Sequence, residues 1–342
     1  MGGGIGWWVS DHEPHATVSA PMTGRQPYGQ EQAPAERETP RGLRQQATEA
    51  TGKDFGRLLA WLEEITSTID HAREWLRAGA PHGAVVIAER QTAGRGRLGR
   101  VWASPKGGLW MSVITRPDIE PEKAGRLGLA IAVAAAEAIA TEAGCEVELR
   151  WPNDLMVGGR KLGGVLVDAQ ITAGRTGGEE MASPQTVQKG AQRCAPTRAA
   201  NGETAAGCVS EAILSIGVNV NVSVEDLPED VRETAASLLN VTGRTHSVGA
   251  IAARLLANLE ALRPSVTGDG IALAAAWRRR DALAGREVTV EVAGKRLPGL
   301  ASGIDEMGRL RLVSAWGEHV VSAGEVISLR ELHDEGPQAR AE

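Results

Sequence analysis

The sequence predicts an α+β fold followed by a small β-barrel, and three observations carry that expectation. Short apolar strand-like runs, such as residues 84–88 (AVVIA) and 212–218 (AILSIGV), are separated by helical patterns. One long apolar helical pattern occupies residues 122–143. From Arg286 the chain turns into short strands that alternate with turns at Gly294, at 305–308 and at Trp316-Gly317.

Taken in order, residues 1–53 are rich in Gly, Pro, Gln, Glu and Thr without apolar periodicity and predict a disordered tail. Residues 58–62 (LLAWL) read as a strand. Ser67 or Thr68 is placed to cap a helix through Leu76, with Asp70 and Glu74 near its N-terminus. Strands are expected at 84–88 and near 109–114, with a Gly/Arg-rich loop between them. Gly144 sits where the cap of the long helix belongs. Residues 155–157 and 161–167 predict a hairpin, because Gly158-Gly159 suits the positive φ of a two-residue turn. Residues 170–210 contain almost no large apolar side chains and look like an exposed insertion, since structureless loops of that length are unusual in compact domains. The resulting plan is a tail at 1–53, a main domain at 54–283 with the insertion inside it, a barrel at 284–330 and a tail at 331–342.

Composition narrows the function. The 342 residues suffice for one sizeable core plus a small second domain. The net charge of -6 gives no sign of nucleic-acid affinity, which favours a basic domain. The cysteines are Cys145, Cys194 and Cys208; their spacing matches no zinc pattern, so they read as unpaired thiols in a reducing compartment. The longest apolar run, 127–140, is Ala-rich, contains Glu137 and falls short of the ~20 residues a bilayer needs. The N-terminus lacks a signal-peptide pattern, and Gly6 stands where a myristoylation signal needs Ser or Thr. A cytoplasmic protein without membrane contact is expected.

Residues 94–99 (GRGRLG) form a literal GxGxxG after a strand, yet no helix follows, so the dinucleotide-binding reading fails its context test. What remains is a flexible loop carrying Arg95, Arg97 and Arg100, either a solvated basic turn or a loop that closes on an anion. The second constellation is 150–154 (RWPND) with 160–164 (RKLGG). Asp154 could hold Mg²⁺, Asn153 a phosphate or its metal, and Lys161 the charge on a transferring phosphoryl group; an ordinary Asn-Asp turn with a surface lysine is the alternative. Third, Asn219 and Asn221 alternate with apolar residues at a strand end and share one face, as a polar wall for a nucleotide or a solvated edge.

Four ordered segments, GRGRLGRVW, RWPND, KLGGVLVD and SIGVNVN, together resemble biotin–protein ligases, and the C-terminal GEVISLR resembles the end of that family's small barrel. The match runs from about Leu58 to Leu329. The resemblance implies a mixed-sheet catalytic domain related to class II aminoacyl-tRNA synthetases, with an SH3-like barrel. It also implies two steps: ATP and biotin give biotinyl-5′-AMP, and a lysine of a biotin carboxyl carrier domain then takes the biotinyl group. Carried over by position, Ser67, Thr68, Gln91, Gly94, Arg95, Arg97, Lys161 and Gly163 serve biotin. Arg97, Arg100, Trp102, Asn153, Lys161 and Asn219 serve ATP, Asp154 its Mg²⁺, and Lys161 and Arg97 the chemistry. Two positions depart from the family: Ile69 replaces Asn in Ser-Thr-Asn, and Arg150 replaces Lys before Trp-Pro-Asn-Asp. Some family members carry an N-terminal helix-turn-helix that represses transcription. Residues 1–53 show no such helices, so no nucleic-acid partner is expected; the sequence is compatible with a homodimer but does not fix the oligomeric state. A lipoate–protein ligase and a non-catalytic biotin or nucleotide sensor are the competing readings.

Overall fold

A computed structural model describes residues 54–172 and 207–330 of the chain. The expected tails at 1–53 and 331–342, and most of the expected insertion, lie outside the described residues.

Ser67 caps the first helix, its hydroxyl accepting from the Ile69 amide at 3.3 Å. That helix, α1 (Thr68–Arg77), links β1 (Leu59–Ile65) to β2 (Val85–Gln91). Next come β3 (Leu109–Thr115), the 19-residue α2 (Gly125–Ala143), β4 (Glu148–Arg150) and β5 (Asp154–Val157). Then follow β6 (Arg160–Thr172), β7 (Cys208–Val218), two short helices α3 (Glu229–Arg232) and α4 (Leu238–Thr242), and the longer α5 (Val248–Thr267) and α6 (Ile271–Arg278). Gly144 ends α2 in the left-handed region, φ 65°, and Gly158 and Gly159 turn the β5–β6 hairpin at φ 55° and 74°.

These strands form one sheet in the order β1-β2-β3-β7-β6-β5-β4. The β1–β2 pair is parallel and the other neighbours are antiparallel, so the sheet is mixed. Period-two alternation then divides its faces. Val85, Ile87, Met111, Val113, Leu214 and Ile216 join the large core beneath α2 and α5. Val86, Ile114 and Ile213 face the opposite way, against Ala72 and Leu76 of α1. By the same alternation Ser112, Ser215 and Gly217 belong to the α1 face. Sandwiched between sheet and α5, α2 is buried on nearly every side, which explains its apolar, Ala-rich sequence.

The last five strands are β8 (Glu287–Val292), β9 (Lys295–Ile304), β10 (Leu310–Ser314), β11 (Gly317–Val321) and β12 (Glu325–Arg330). They form a second sheet, ordered β11-β10-β9-β8-β12 and antiparallel throughout. The sequence suggests a separate barrel; in the fold its core residues Val288, Val290, Ala301 and Leu310 belong to the same apolar cluster as the main domain.

The expected insertion bounds, 170–210, cut into both flanking strands. β6 and β7 stay paired through Gln170↔Glu211 and out to Thr172↔Cys208, because a ladder needs only backbone groups and accepts polar side chains. Replacing residues 173–207 with a two-residue Asn-Gly turn should therefore preserve the fold. Shortening the connection removes loop-closure entropy, about 2.5 kcal/mol for roughly four halvings of length at ~0.6 kcal/mol each. A thermal melt of the deletion variant should show an unchanged or raised Tm; a lowered Tm would mean that the segment packs on the domain.

Candidate functional site

The α1 face of the sheet carries a cavity of about 630 Å³, within the usual range for small-molecule sites. Its walls come from the Gly/Arg loop, the RWPND turn, the β6 start and the β7 end.

At one end lies a chain of buried hydroxyl and amide groups. Thr68 Oγ1 donates to Gln91 Oε1 at 3.1 Å, and the Thr68 amide donates to the same oxygen at 2.8 Å. Ser112 Oγ donates to Thr68 Oγ1 at 2.8 Å and lies 2.8 Å from Ser215 Oγ. Since the single Ser112 proton goes to Thr68, Ser215 must donate to Ser112. Gln91 Nε2 in turn donates to Ser104 Oγ at 2.8 Å. Sequence reasoning missed Ser104, Ser112 and Ser215. The available signal was a serine inside each of two apolar strands, LWMSVIT and CVSEAILSIGV, which the sheet brings face to face.

The middle of the cavity is cationic. Lys161 Nζ lies 2.6 Å from Asp154 Oδ1 and 5.3 Å from the centre of the Trp102 ring, a cation–π distance. Arg150 donates to Asp154 Oδ2 at 2.6 Å. Arg97 donates through one amino group to Asn153 Oδ1 at 2.9 Å and through the other to the Gly324 carbonyl at 3.1 Å. Burial pushes the Arg97 guanidinium below its ordinary value, against the opposing pull of Asp154 and Glu325. A β-bulge aims Lys161. Asp154 pairs with Gly164 and Leu155 with Gly163, but Met156 pairs with Lys161, so Leu162 is the extra residue. The bulge puts positions 161 and 164, normally on opposite faces, on one face: Lys161 Cε is 3.6 Å from where a Cβ at 164 would sit.

Trp102, beside Lys161, and Asn219 also line the cavity. Asn219 Nδ2 donates to the Ala236 carbonyl at 2.9 Å, while Asn219 Oδ1 and Trp102 Nε1 are buried without a partner among the described residues. Buried polar atoms are normally paired, so two such atoms on one cavity wall point to a ligand.

The structure therefore brings Thr68, Gln91, Arg95, Arg97, Arg100, Trp102, Asn153, Asp154, Lys161 and Asn219 to one cavity. Three expected residues do not line it. Ser67 Oγ accepts from the Ile69 amide in the α1 cap. Gly94 sits at the loop base, where a Cβ would come within 2.3 Å of the Trp102 carbonyl. Gly163 lets β6 approach β7, since its Cβ would lie 2.5 Å from the Gly217 carbonyl. Asn221 closes a pair of bonds with the His246 backbone, each 2.8 Å. Arg95 is held by Asp70 at 2.8 Å, and Arg100 by Glu325 of β12 at 2.6 and 2.9 Å. The Gly/Arg loop is no dinucleotide fingerprint: it holds one 3-10 turn (Arg97–Gly99) and returns through Trp102 N donating to the Gly94 carbonyl.

As a metal site, Asp154 stands alone. Among the described residues no three His, Cys, Asp or Glu side chains cluster as ligands. Both Asp154 oxygens already carry cationic partners. This donor set fits a Mg²⁺ whose shell is completed by nucleotide phosphates and water, and does not fit one held by protein alone.

The fold and cavity have known counterparts. A family described as the biotin/lipoate A/B protein ligase family matches residues 61–178, and the biotin protein ligase C terminal domain matches residues 284–328. The bifunctional ligase/repressor BirA of Bacillus spizizenii is 31% identical over 265 residues, covering 77% of this chain and 71% of that protein. The chain belongs to the biotin protein ligase family. The biotin--[acetyl-CoA-carboxylase] ligase of Mycobacterium tuberculosis is 34% identical over 254 residues, covering 72% of this chain and 80% of that one. Among solved structures, the biotin protein ligase from Aquifex aeolicus in complex with biotin and ATP aligns with a TM-score of 0.62 at 25% identity, covering 80% of this chain and 99% of that one. Family membership carries the fold with it: a catalytic domain related to class II synthetases and an SH3-like C-terminal domain.

A methyl at Gly217 would lie 2.7 Å from Trp102 Nε1 and 3.3 Å from the Trp110 ring. Gly217→Ala should therefore displace Trp102 at an overpacking cost of about 1–3 kcal/mol. Affinity for a non-hydrolysable ATP analogue, measured by calorimetry, should fall by about 10-fold or more, equivalent to at least 1.4 kcal/mol. Unchanged affinity would remove Trp102 from the nucleotide site.

Proposed function

We propose that this chain activates biotin with ATP and transfers the biotinyl group to a lysine of a biotin carboxyl carrier domain. The single observation that carries this reading is the convergence of Lys161, Arg97 and Arg150 on one cavity that also carries the Trp102 indole and the Thr68–Ser112–Ser215 hydroxyl chain. Three cations suit two anions, a carboxylate and a nucleotide triphosphate, brought together against their mutual repulsion. The hydroxyl chain suits the polar ureido ring of biotin. Ser215 gives its proton inward and keeps its lone pairs for a ligand N–H. The apolar dithiolane of a lipoyl group would leave those groups unpaired, and that disfavours the lipoate reading.

In the first step a carboxylate oxygen of biotin attacks the α-phosphorus of ATP. The bond to the bridging oxygen breaks and pyrophosphate leaves. Lys161 and Arg97 offset the charge that builds on the α-phosphate oxygens. Mg²⁺ carried on the phosphates, with Asp154 as its one carboxylate, would screen the triphosphate further. Trp102 and Asn219 hold the base and sugar end, so the chemistry falls in the cationic middle. In the second step the neutral amine of the carrier lysine attacks the acyl carbon, the acyl C–O bond breaks, AMP departs with the bridging oxygen that came from the biotin carboxylate, and the new amide nitrogen gives up a proton to solvent. The carrier partner rests on family membership. The deciding assay is pyrophosphate release by the purified chain with ATP and Mg²⁺. Release with biotin and none with lipoate supports this reading, and no release with either would favour a non-catalytic sensor.

Two variants test the assigned roles. Lys161→Ala should slow pyrophosphate release about 10²–10³-fold, as the loss of comparable charge-stabilising donors does; a near-normal rate would place the chemistry elsewhere. Arg97→Gly removes the bonds to Asn153 and Gly324 and frees the loop. The mixed anhydride should then escape and acylate any exposed amine. Albumin added to this variant with biotin, ATP and Mg²⁺ should become labelled; unlabelled albumin beside normal adenylate formation would show that Arg97 does not retain the intermediate.

A further inference from the structure

Arg126 is 1% exposed, yet its guanidinium has no carboxylate among its hydrogen-bond partners. Nε donates to the Glu306 carbonyl at 2.8 Å. One amino group donates to the carbonyls of Val266 and Gly268 at 3.2 and 2.7 Å. The other donates to the Asp269 carbonyl at 2.8 Å and to Met307 Sδ at 3.5 Å. All five N–H groups are used. Burying a cation is costly, and an apolar residue would fill the space at less expense. What the planar fork adds is reach: it joins α2, the α5–α6 connection and the β9–β10 turn.

That turn, residues 305–309, is seated on the main domain through alternate carbonyls. Arg278 donates to Ile304 at 2.7 and 3.1 Å, Arg126 to Glu306, and the Trp151 indole to Gly308 at 3.0 Å. The seat is closely fitted. A Cβ at Gly125 would lie 2.8 Å from the Met307 carbonyl, and one at Gly270 would lie 2.4 Å from that of Glu306. Asp305 stiffens the turn by accepting from the amides of Met307 and Arg309 at 3.0 and 2.9 Å. Elsewhere on the same sheet Gly324 and Glu325 hold Arg97 and Arg100 of the Gly/Arg loop. The contacts close into a ring, for Arg97 also binds Asn153, which stands two residues after Trp151.

We propose that Arg126 is a positioning residue for the Gly/Arg loop: by seating the β9–β10 turn it fixes the C-terminal sheet so that Gly324 and Glu325 fasten Arg97 and Arg100 over the cavity. The consequence for retention of the adenylate rests on the function proposed above; the mechanical coupling does not.

The test is limited trypsin digestion of the full chain without biotin or ATP, reading cleavage after Arg95, Arg97 and Arg100 by mass spectrometry. Proteolysis of this kind follows the population of the open loop. Glu325→Gln opens the Arg100 half of the fastening directly and sets the reference. Arg126→Gln leaves too few donors for three segments. Gly125→Ala keeps Arg126 but lifts the turn from its seat, so it separates docking from the buried charge. Both variants should retain native near-ultraviolet circular dichroism and raise loop cleavage about 5-fold, the upper end of what one exposed ion pair supplies. Arg126→Gln combined with Glu325→Gln, which leaves the Arg97–Gly324 bond intact, should cleave faster than Glu325→Gln alone but by clearly less than the product of the two single effects, a non-additivity that general destabilisation does not produce. Loop cleavage within twofold of the parent in a folded variant, or additive rates in the double variant, would overturn the proposal. Loss of fold in both Arg126→Gln and Gly125→Ala would overturn it too, since the residue would then serve the whole chain. Should the parent release no pyrophosphate with biotin, the functional reading falls while the coupling result stands.

Discussion

Asp154 is the point on which the site depends. A cavity meant for two anions must gather cations, and cations gathered without an anion repel one another in a medium of reduced dielectric. Asp154 resolves this in the structure by lying 2.6 Å from both Lys161 and Arg150. It holds Lys161 across the cavity floor and against the Trp102 ring. It also explains how Arg150 fills its position. Two nitrogens of its fork reach one Asp154 oxygen, at 2.6 and 3.3 Å, and leave the other oxygen to Lys161.

The sheet is the second constraint. Its two faces are assigned by alternation: one covers the core and the other carries Ser112, Ser215 and Gly217. The hydroxyl chain exists because β3 and β7 are neighbours in register, with Ser112 opposite Ser215. Trp102 reaches the cavity because position 217, one alternation further along, is glycine. A Cβ there would meet the indole. The hydroxyl chain of the site and its aromatic wall are thus two residues apart on one strand.

The C-terminal sheet is part of the same construction. Its core joins the main core, its β9–β10 turn is held through three successive alternate carbonyls, and its β12 edge supplies partners to the Gly/Arg loop. Each exposed fastening is weak by itself: pairs such as Arg100–Glu325 typically contribute ~0.2–1 kcal/mol. That suits a loop which must admit two substrates and a partner lysine. The seating of the turn is buried and correspondingly firm.

The sequence alone determined the elements whose signal is local. Alternation and short apolar runs gave β2, β3 and β7, helical spacing and Gly144 gave α2, and two glycines gave the β5–β6 hairpin. The Gly/Arg loop, RWPND and the lysine after the hairpin were legible as chemistry because charged residues set among glycines have little purpose in a core. Tertiary structure decided what depends on register and approach. Ser67 and Gly163 read as site residues; in the fold the Ser67 hydroxyl also caps α1 and Gly163 sets the β6–β7 spacing. The bulge at Leu162 turns Lys161 onto the cavity face, and no periodicity in RKLGG announces it. Ser104, Ser112, Ser215 and Glu325 became site residues only when distant strands met, and Arg126 reads as one more helix cation until the fold surrounds it with carbonyls. Side-chain type is written residue by residue, whereas the partner that gives it a role lies up to 227 residues away along the chain, and only folding brings the two together.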